Sequence, residues 1–397
     1  MTARKHLKQL VRERMRKTGE AYTVARRHVA DPDPSWEFRG GIDGDAAAFA
    51  NVLAHLGVVA PHTGEPLTEA MILGVGGGLG AGYILWELPS HPVRSRVLTL
   101  GFRRLWQYPD GWARQAAERL GVRAELHETG SAKVAAETLD AQLDQGLPAI
   151  AWVDPYTLGH RGLPEWFDGY GGPPVIVYER TGDSYAIDDR STCRVTVSGL
   201  RLASARARVG SYRHRLITID PERVDVDLRP AVEEGLRLQV DHLSERSDSF
   251  SLPAWRKWAR MTTDTRNTKG WPTVFADGLG VGSLRASVYT DAGHGRHLRG
   301  LYADFLDEAA DLVGRDTLRD AADAWRTAAS HWESVVDEAL APGDELRELI
   351  DRGDAGRWEL QARRDEAPGE LPALGEPVAA MYDAEVAALT RLRSSIG

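Results

Sequence analysis

The chain has 397 residues, enough for two to three domains at roughly 150 residues each and for a substantial buried core. Its 58 acidic residues outnumber 49 basic ones, giving a net charge of −9 that excludes a generally basic nucleic-acid binder, while 42% hydrophobic content excludes wholesale disorder. A single cysteine, Cys193, excludes an internal disulfide framework and a multi-cysteine zinc site, and no apolar run approaches the ~18 residues of a membrane span. The expectation is a cytoplasmic protein that engages neither membrane nor nucleic acid.

Residues 1–34 read as a basic helical arm and linker. Residues 1–30 carry nine Lys or Arg against Glu13 and Glu20, and Leu7, Leu10 and Val11 follow helical spacing. Such a segment is either a solvated helix or a docking arm for an acidic partner. Asp31-Pro32-Asp33-Pro34 then breaks the pattern.

Residues 35–222 mix helices and strands. Phe49, Val52, Leu53 and Leu56 share one face of an expected helix over 46–56. Apolar runs at 149–153, 174–178, 184–188 and 213–219 predict strands, which after a helical start suggests an α+β fold rather than a doubly wound sheet. Residues 223–397 read as a helical domain. Tyr302, Phe305, Leu306, Ala309 and Leu312 form one stripe, and Leu318, Ala322, Trp325, Ala329, Trp332 and Val336 another. Aromatic residues at such spacing belong to a core. His294-Gly-Arg-His297 lacks the glutamate and spacing of a zinc protease and reads as a loop, so no metal site is expected.

The run Gly74-Val-Gly76-Gly77-Gly78-Leu-Gly-Ala-Gly82-Tyr83 is the clearest local feature. It gives no strict dinucleotide fingerprint and no phosphate-binding Lys-Ser or Lys-Thr, so no nucleotide or other cofactor is expected. What it allows is positive φ and amide N–H groups offered to an anion, or else an ordinary tight turn.

Asn51-Val-Leu-Ala-His-Leu-Gly57 followed by that glycine block resembles the N-terminal domain of the butirosin-type (BtrH-like) acyltransferases, and Leu298-Arg-Gly-Leu-Tyr302-Ala-Asp-Phe-Leu-Asp-Glu-Ala-Ala is similar to the pattern of their helical second half. The resemblance implies a papain-like α+β domain with a nucleophilic cysteine opening the first helix and a histidine on a later strand. Here the cysteine's place falls near Asp43-Gly44 and the histidine's near Pro173, so neither group is present. Thiolate acyl transfer needs both. Asp188-Asp189 matches the place where papain-like folds keep the residue that orients the histidine; without that histidine it supports a turn or holds a basic partner.

An acid replaces the thiol. Asp45 opens the expected helix with Asp43 two residues before it, and either is a helix cap or a base and amine-positioning group. A helix N-terminus lowers such a carboxyl's pKa, whereas burial and a neighbouring acid raise it. The combination resembles the larger subunit of the azinomycin- and vazabitide-type aziridine-forming enzymes. That resemblance implies attack of an amine on a neighbouring carbon bearing a sulfate ester, with no metal and no covalent enzyme intermediate. It also implies an acidic amino-group carrier protein bearing the substrate, docked by the basic arm, and a small second subunit. Gly76, Gly77, Gly78 and Tyr83 of the glycine block, with Arg103, Arg104, Arg266 and Lys269, are then the candidates for substrate and sulfate binding. The alternatives are a silent relative that only binds a carrier or partner enzyme, and an acyltransferase with relocated groups such as Cys193 and His160.

Overall fold

The computed structural model describes residues 36–88, 95–161, 163, 168–169, 171–172, 174–190, 194–224, 226–276, 278–340 and 371–397. The basic arm, Trp166, Pro173 and Cys193 lie outside them.

The first helix, α1 (Gly44–His55), is capped by Asp43, whose side chain accepts from the Ala46 N–H. Ala46, Ala47, Ala48, Phe49, Ala50, Val52 and Leu53 are buried. Helix α2 (Glu69–Val75) is capped by Thr68 accepting from Met71 N–H and is buried from Ala70 onward. An antiparallel hairpin follows, β1 (Leu79–Leu88) with β2 (Ser95–Arg103). Helix α3 (Pro109–Arg119) leads into a six-stranded antiparallel sheet built from β3 (Val122–His127), β4 (Ala149–Trp152), β5 (Pro174–Thr181), β6 (Ser184–Asp188), β7 (Val195–Ser198) and β8 (Leu216–Val224). The strand order is β3-β8-β4-β5-β6-β7. Helices α4 (Ala132–Asp144), α5 (Pro155–Leu158) and α6 (Gly199–Arg208) connect these strands.

The period of two along the central strands sorts their side chains between two cores. Ala149, Ala151, Val175, Val177 and Leu216 pack with Leu139 of α4, Leu158 of α5 and Leu202 of α6. Ile150, Trp152, Ile176, Ile217 and Ile219 face the other way, into a core that also holds α1, α2 and the hairpin.

Beyond β8 the described elements are helices: α7 (Leu228–Ser244), α8 (Pro253–Thr263), α9 (Trp271–Val274), α10 (Gly278–Ala292), α11 (Arg299–Val313), α12 (Thr317–Leu340) and α13 (Gly375–Ile396). The chain is therefore α+β. The helices share the larger core with α1, α2 and the hairpin. Trp255, Trp258, Trp271 and Trp332 pile together with centroids 5.2–5.8 Å apart, and Phe102 of the hairpin meets Trp332 edge-on at 4.8 Å. Gly74 of α2 lies so close to the Phe305 ring of α11 that a Cβ there would overlap it. No described helix is long and apolar enough to cross a membrane.

Candidate functional site

The start of α1 carries two carboxylates. Asp43, not Asp45, is the cap, and Asp45 sits inside the first helical turn. Arg103, at the end of β2, reaches both: Nη2 lies 2.6 Å from Asp45 Oδ2, and Nε 3.4 Å from Asp43 Oδ1. The guanidinium is stacked over Trp112 at 4.2 Å and donates from Nη1 to the Arg104 carbonyl. Its side chain is 4% exposed and that of Asp45 13%, so this ion pair is largely withdrawn from water. Burial pushes the Asp45 carboxyl above the usual carboxylate range; Arg103 opposes the shift and Asp43 adds to it.

Glu69, opening α2, ties down the approach to the cap. Its carboxylate accepts from the Ile42 N–H at 2.9 Å and the Asp43 N–H at 2.6 Å. Burial raises its pKa to about 7 in spite of those bonds. On the other side Arg190 follows β6 in a left-handed conformation, φ 71°, with its N–H on Asp188 Oδ1 and Nη1 donating to the Ile42 carbonyl at 2.9 Å. A non-glycine residue rarely adopts that region without being held there. Asp188 also accepts from Trp36 Nε1 at 2.8 Å, and burial raises its pKa.

Asp189 has a histidine partner after all. His160 Nε2 lies 2.6 Å from Asp189 Oδ2, and Arg161 Nε donates to the same oxygen at 2.8 Å. Burial works to raise the Asp189 pKa, but the hydrogen bonds from His160 and Arg161 and the Arg161 charge outweigh it and hold the carboxyl far below its usual range. Among the described residues, five buried polar atoms of this region have no hydrogen-bond partner: Asp45 Oδ1, Arg103 Nε, Arg190 Nε, Asp189 Oδ1 and His160 Nδ1.

The structure thus brings together Asp43, Asp45 and Arg103. It gives the other expected site residues different work. The N–H groups of Gly76, Gly77 and Gly78 donate to the Ile72, Gly74 and Leu73 carbonyls, so the glycine run ends α2 instead of offering amides to an anion. Gly77 and Gly78 have φ of 99° and 68°, and a Cβ on Gly76 would overlap Trp112. Arg104 donates to Gln115 at 3.1 Å, with Glu245 and Glu234 as its charged neighbours. Tyr83 meets Trp271 edge-on at 5.7 Å, and burial lifts its pKa to about 12. Arg266 and Lys269 are exposed on a loop whose amides bond Asp264 and Asn267. No hydrogen bond or ion pair among the described residues joins these four side chains to Asp45. Glu69, Arg161 and Arg190 escaped the sequence reading, because single charged residues on separate elements carry no spacing signal. His294 and His297 lie in the turn between α10 and α11, as expected of a loop.

The family model described as butirosin biosynthesis protein H, N-terminal, matches residues 45–190. The match supports the BtrH-like resemblance over a stretch that runs from Asp45 to Arg190, both in the cluster just described. No curated protein matches the chain.

Proposed function

We propose that this protein is a biosynthetic enzyme of the natural-product type that closes an aziridine ring on a carrier-bound amino-acid substrate by expelling sulfate. The observation that carries the reading is the Asp45–Arg103 pair at the start of α1, where cysteine-bearing relatives would place a nucleophile. The match to a family named for butirosin biosynthesis supports the broader class.

The chemistry asks little of covalent catalysis. An amine must be held in line behind a carbon whose sulfate departs, an orientation effect that can be worth several kcal/mol. Asp43 and Asp45 attract and orient an ammonium group. A carboxyl raised by burial is also closer in proton affinity to a reacting amine than an exposed one. Sulfate is a good leaving group, so no acyl or thioester intermediate is needed. The small second subunit and the acidic carrier met by the arm at 1–30 belong to the same proposal.

Intact-mass spectrometry of a carrier-bound vicinal amino-sulfate, incubated with this protein with and without a co-encoded small partner, tests it. Loss of one sulfuric-acid equivalent that Asp45→Asn abolishes is the expected result. Stable carrier binding with no change of mass under either condition would instead make the chain a silent binding relative.

A further inference from the structure

His160 forms no part of the reading above, yet its imidazole is the most distinctive unused group in the cluster. Its side chain is 7% exposed, and it follows Gly159, whose φ of 77° turns the chain out of α5. A carboxylate only accepts hydrogen bonds, so the 2.6 Å contact with Asp189 places a proton on Nε2, and in the neutral ring Nδ1 is then the lone pair. Nδ1 is buried and has no partner.

Arg190 links the dyad to the turn that precedes α1. Asp189 is followed by Arg190, whose guanidinium bonds the Ile42 carbonyl beside Asp43. Arg190 in turn feels the charges of Arg161, Asp43, Asp189 and Glu69. With Asp188 and Asp45 the region holds five carboxyl groups against the guanidinia of Arg103, Arg161 and Arg190. That balance favours an incoming cation such as an ammonium group.

Burial raises the Asp45 carboxyl, yet a proton there carries a cost. Protonation would release Arg103, a buried guanidinium, from its closest counter-charge, and breaking such a pair is costly. We propose that His160, oriented by Asp189, is the proton acceptor of this site, and that Asp45 positions the amine while remaining on Arg103. The ammonium of the substrate loses one proton to His160 Nδ1. The nitrogen lone pair then attacks the neighbouring carbon, the C–O bond to sulfate breaks, and its electron pair leaves with the sulfate. The ring nitrogen, still carrying two hydrogens, gives up the second proton to solvent. The inference rests on the ring-closure reading for its substrate but not for the state of the imidazole.

Two measurements separate the two claims. In 15N-histidine-labelled protein, His160 is expected as the Nε2–H tautomer with Nδ1 bare, and adding 2-aminoethyl hydrogen sulfate is expected to move the Nδ1 resonance. An Nδ1–H tautomer, or an Nδ1 resonance indifferent to the amine, overturns the inference. In turnover of the amino-sulfate, His160→Gln is expected to lower kcat about 10²–10⁴-fold with KM within about threefold, and imidazole is expected to restore part of the rate to His160→Gly. An unchanged kcat in His160→Gln overturns it. A wild-type protein with no turnover removes the ring-closure reading alone, and the tautomer and the amine-induced shift then decide His160.

Discussion

At the scale of single residues, the placing of Asp43 as the cap and of Asp45 inside the first turn decides what a substitution means. Asn caps helices about as well as Asp, so an Asp45 serving as the cap would tolerate Asn with its fold intact. The cap is Asp43, and Asp45→Asn instead leaves the buried Arg103 without its 2.6 Å partner. Asp45→Asn is therefore expected to abolish turnover and also to lower stability by about 1–3 kcal/mol, read from the urea midpoint. An Asp45→Asn protein with both activity and midpoint unchanged would remove Asp45 from the site altogether.

Glu69 makes a pH prediction at the same scale. Its folded pKa of about 7 lies above the ordinary value of 4.5. Between those values the folded state retains a proton that the unfolded chain has lost. Stability contributed by this group is thus present at low pH and declines as pH rises from about 4.5 through about 7. Urea midpoints across that window should fall, and Glu69→Gln should flatten the trend. A slope unchanged in Glu69→Gln would assign it to other groups.

At the scale of elements, the glycine run shows what a sequence can and cannot disclose. Its capacity for positive φ was legible, and Gly77 and Gly78 use it. Its purpose was not, because that depends on Trp112 and Tyr302 arriving from distant elements to fill the space beside it. Gly76→Ala is expected to cost about 1–3 kcal/mol through overpacking against Trp112, lowering the thermal midpoint while leaving ligand affinity alone. A loss of affinity without a loss of stability would return the glycines to a binding role. Strands β4, β5 and β6 were readable from their apolar runs, since each carries a stretch of consecutive buried residues. The hairpin was not, because its β1 begins inside the glycines. The Asp188-Asp189 pair was singled out, whereas its partner His160 stands 29 residues before Asp189, a separation without periodicity.

At the scale of the whole molecule, one buried ion pair joins parts far apart in the chain. Arg299 and Glu385 both have side chains 0% exposed, with Nε–Oε1 2.7 Å and Nη2–Oε2 3.0 Å. Arg299 also donates to the Gly80 carbonyl of β1, and Trp332 Nε1 donates to Glu385 Oε1 at 2.7 Å. Removing one partner of such a pair leaves the other charged and dry, so Glu385→Ala is expected to cost about 3–5 kcal/mol. Chemical denaturation should show it as a single cooperative loss including the hairpin. Separate unfolding of the helices with the sheet intact would contradict that.

The same pair sets an order of events during synthesis. A ribosome makes the chain from Gly80 to Arg299 to Trp332 well before it reaches Glu385. Until α13 emerges, the guanidinium of Arg299 lacks its Glu385 partner and Trp332 Nε1 lacks its acceptor. The larger core is thus completed only when α13 docks and brings Glu385 to Arg299 and Trp332.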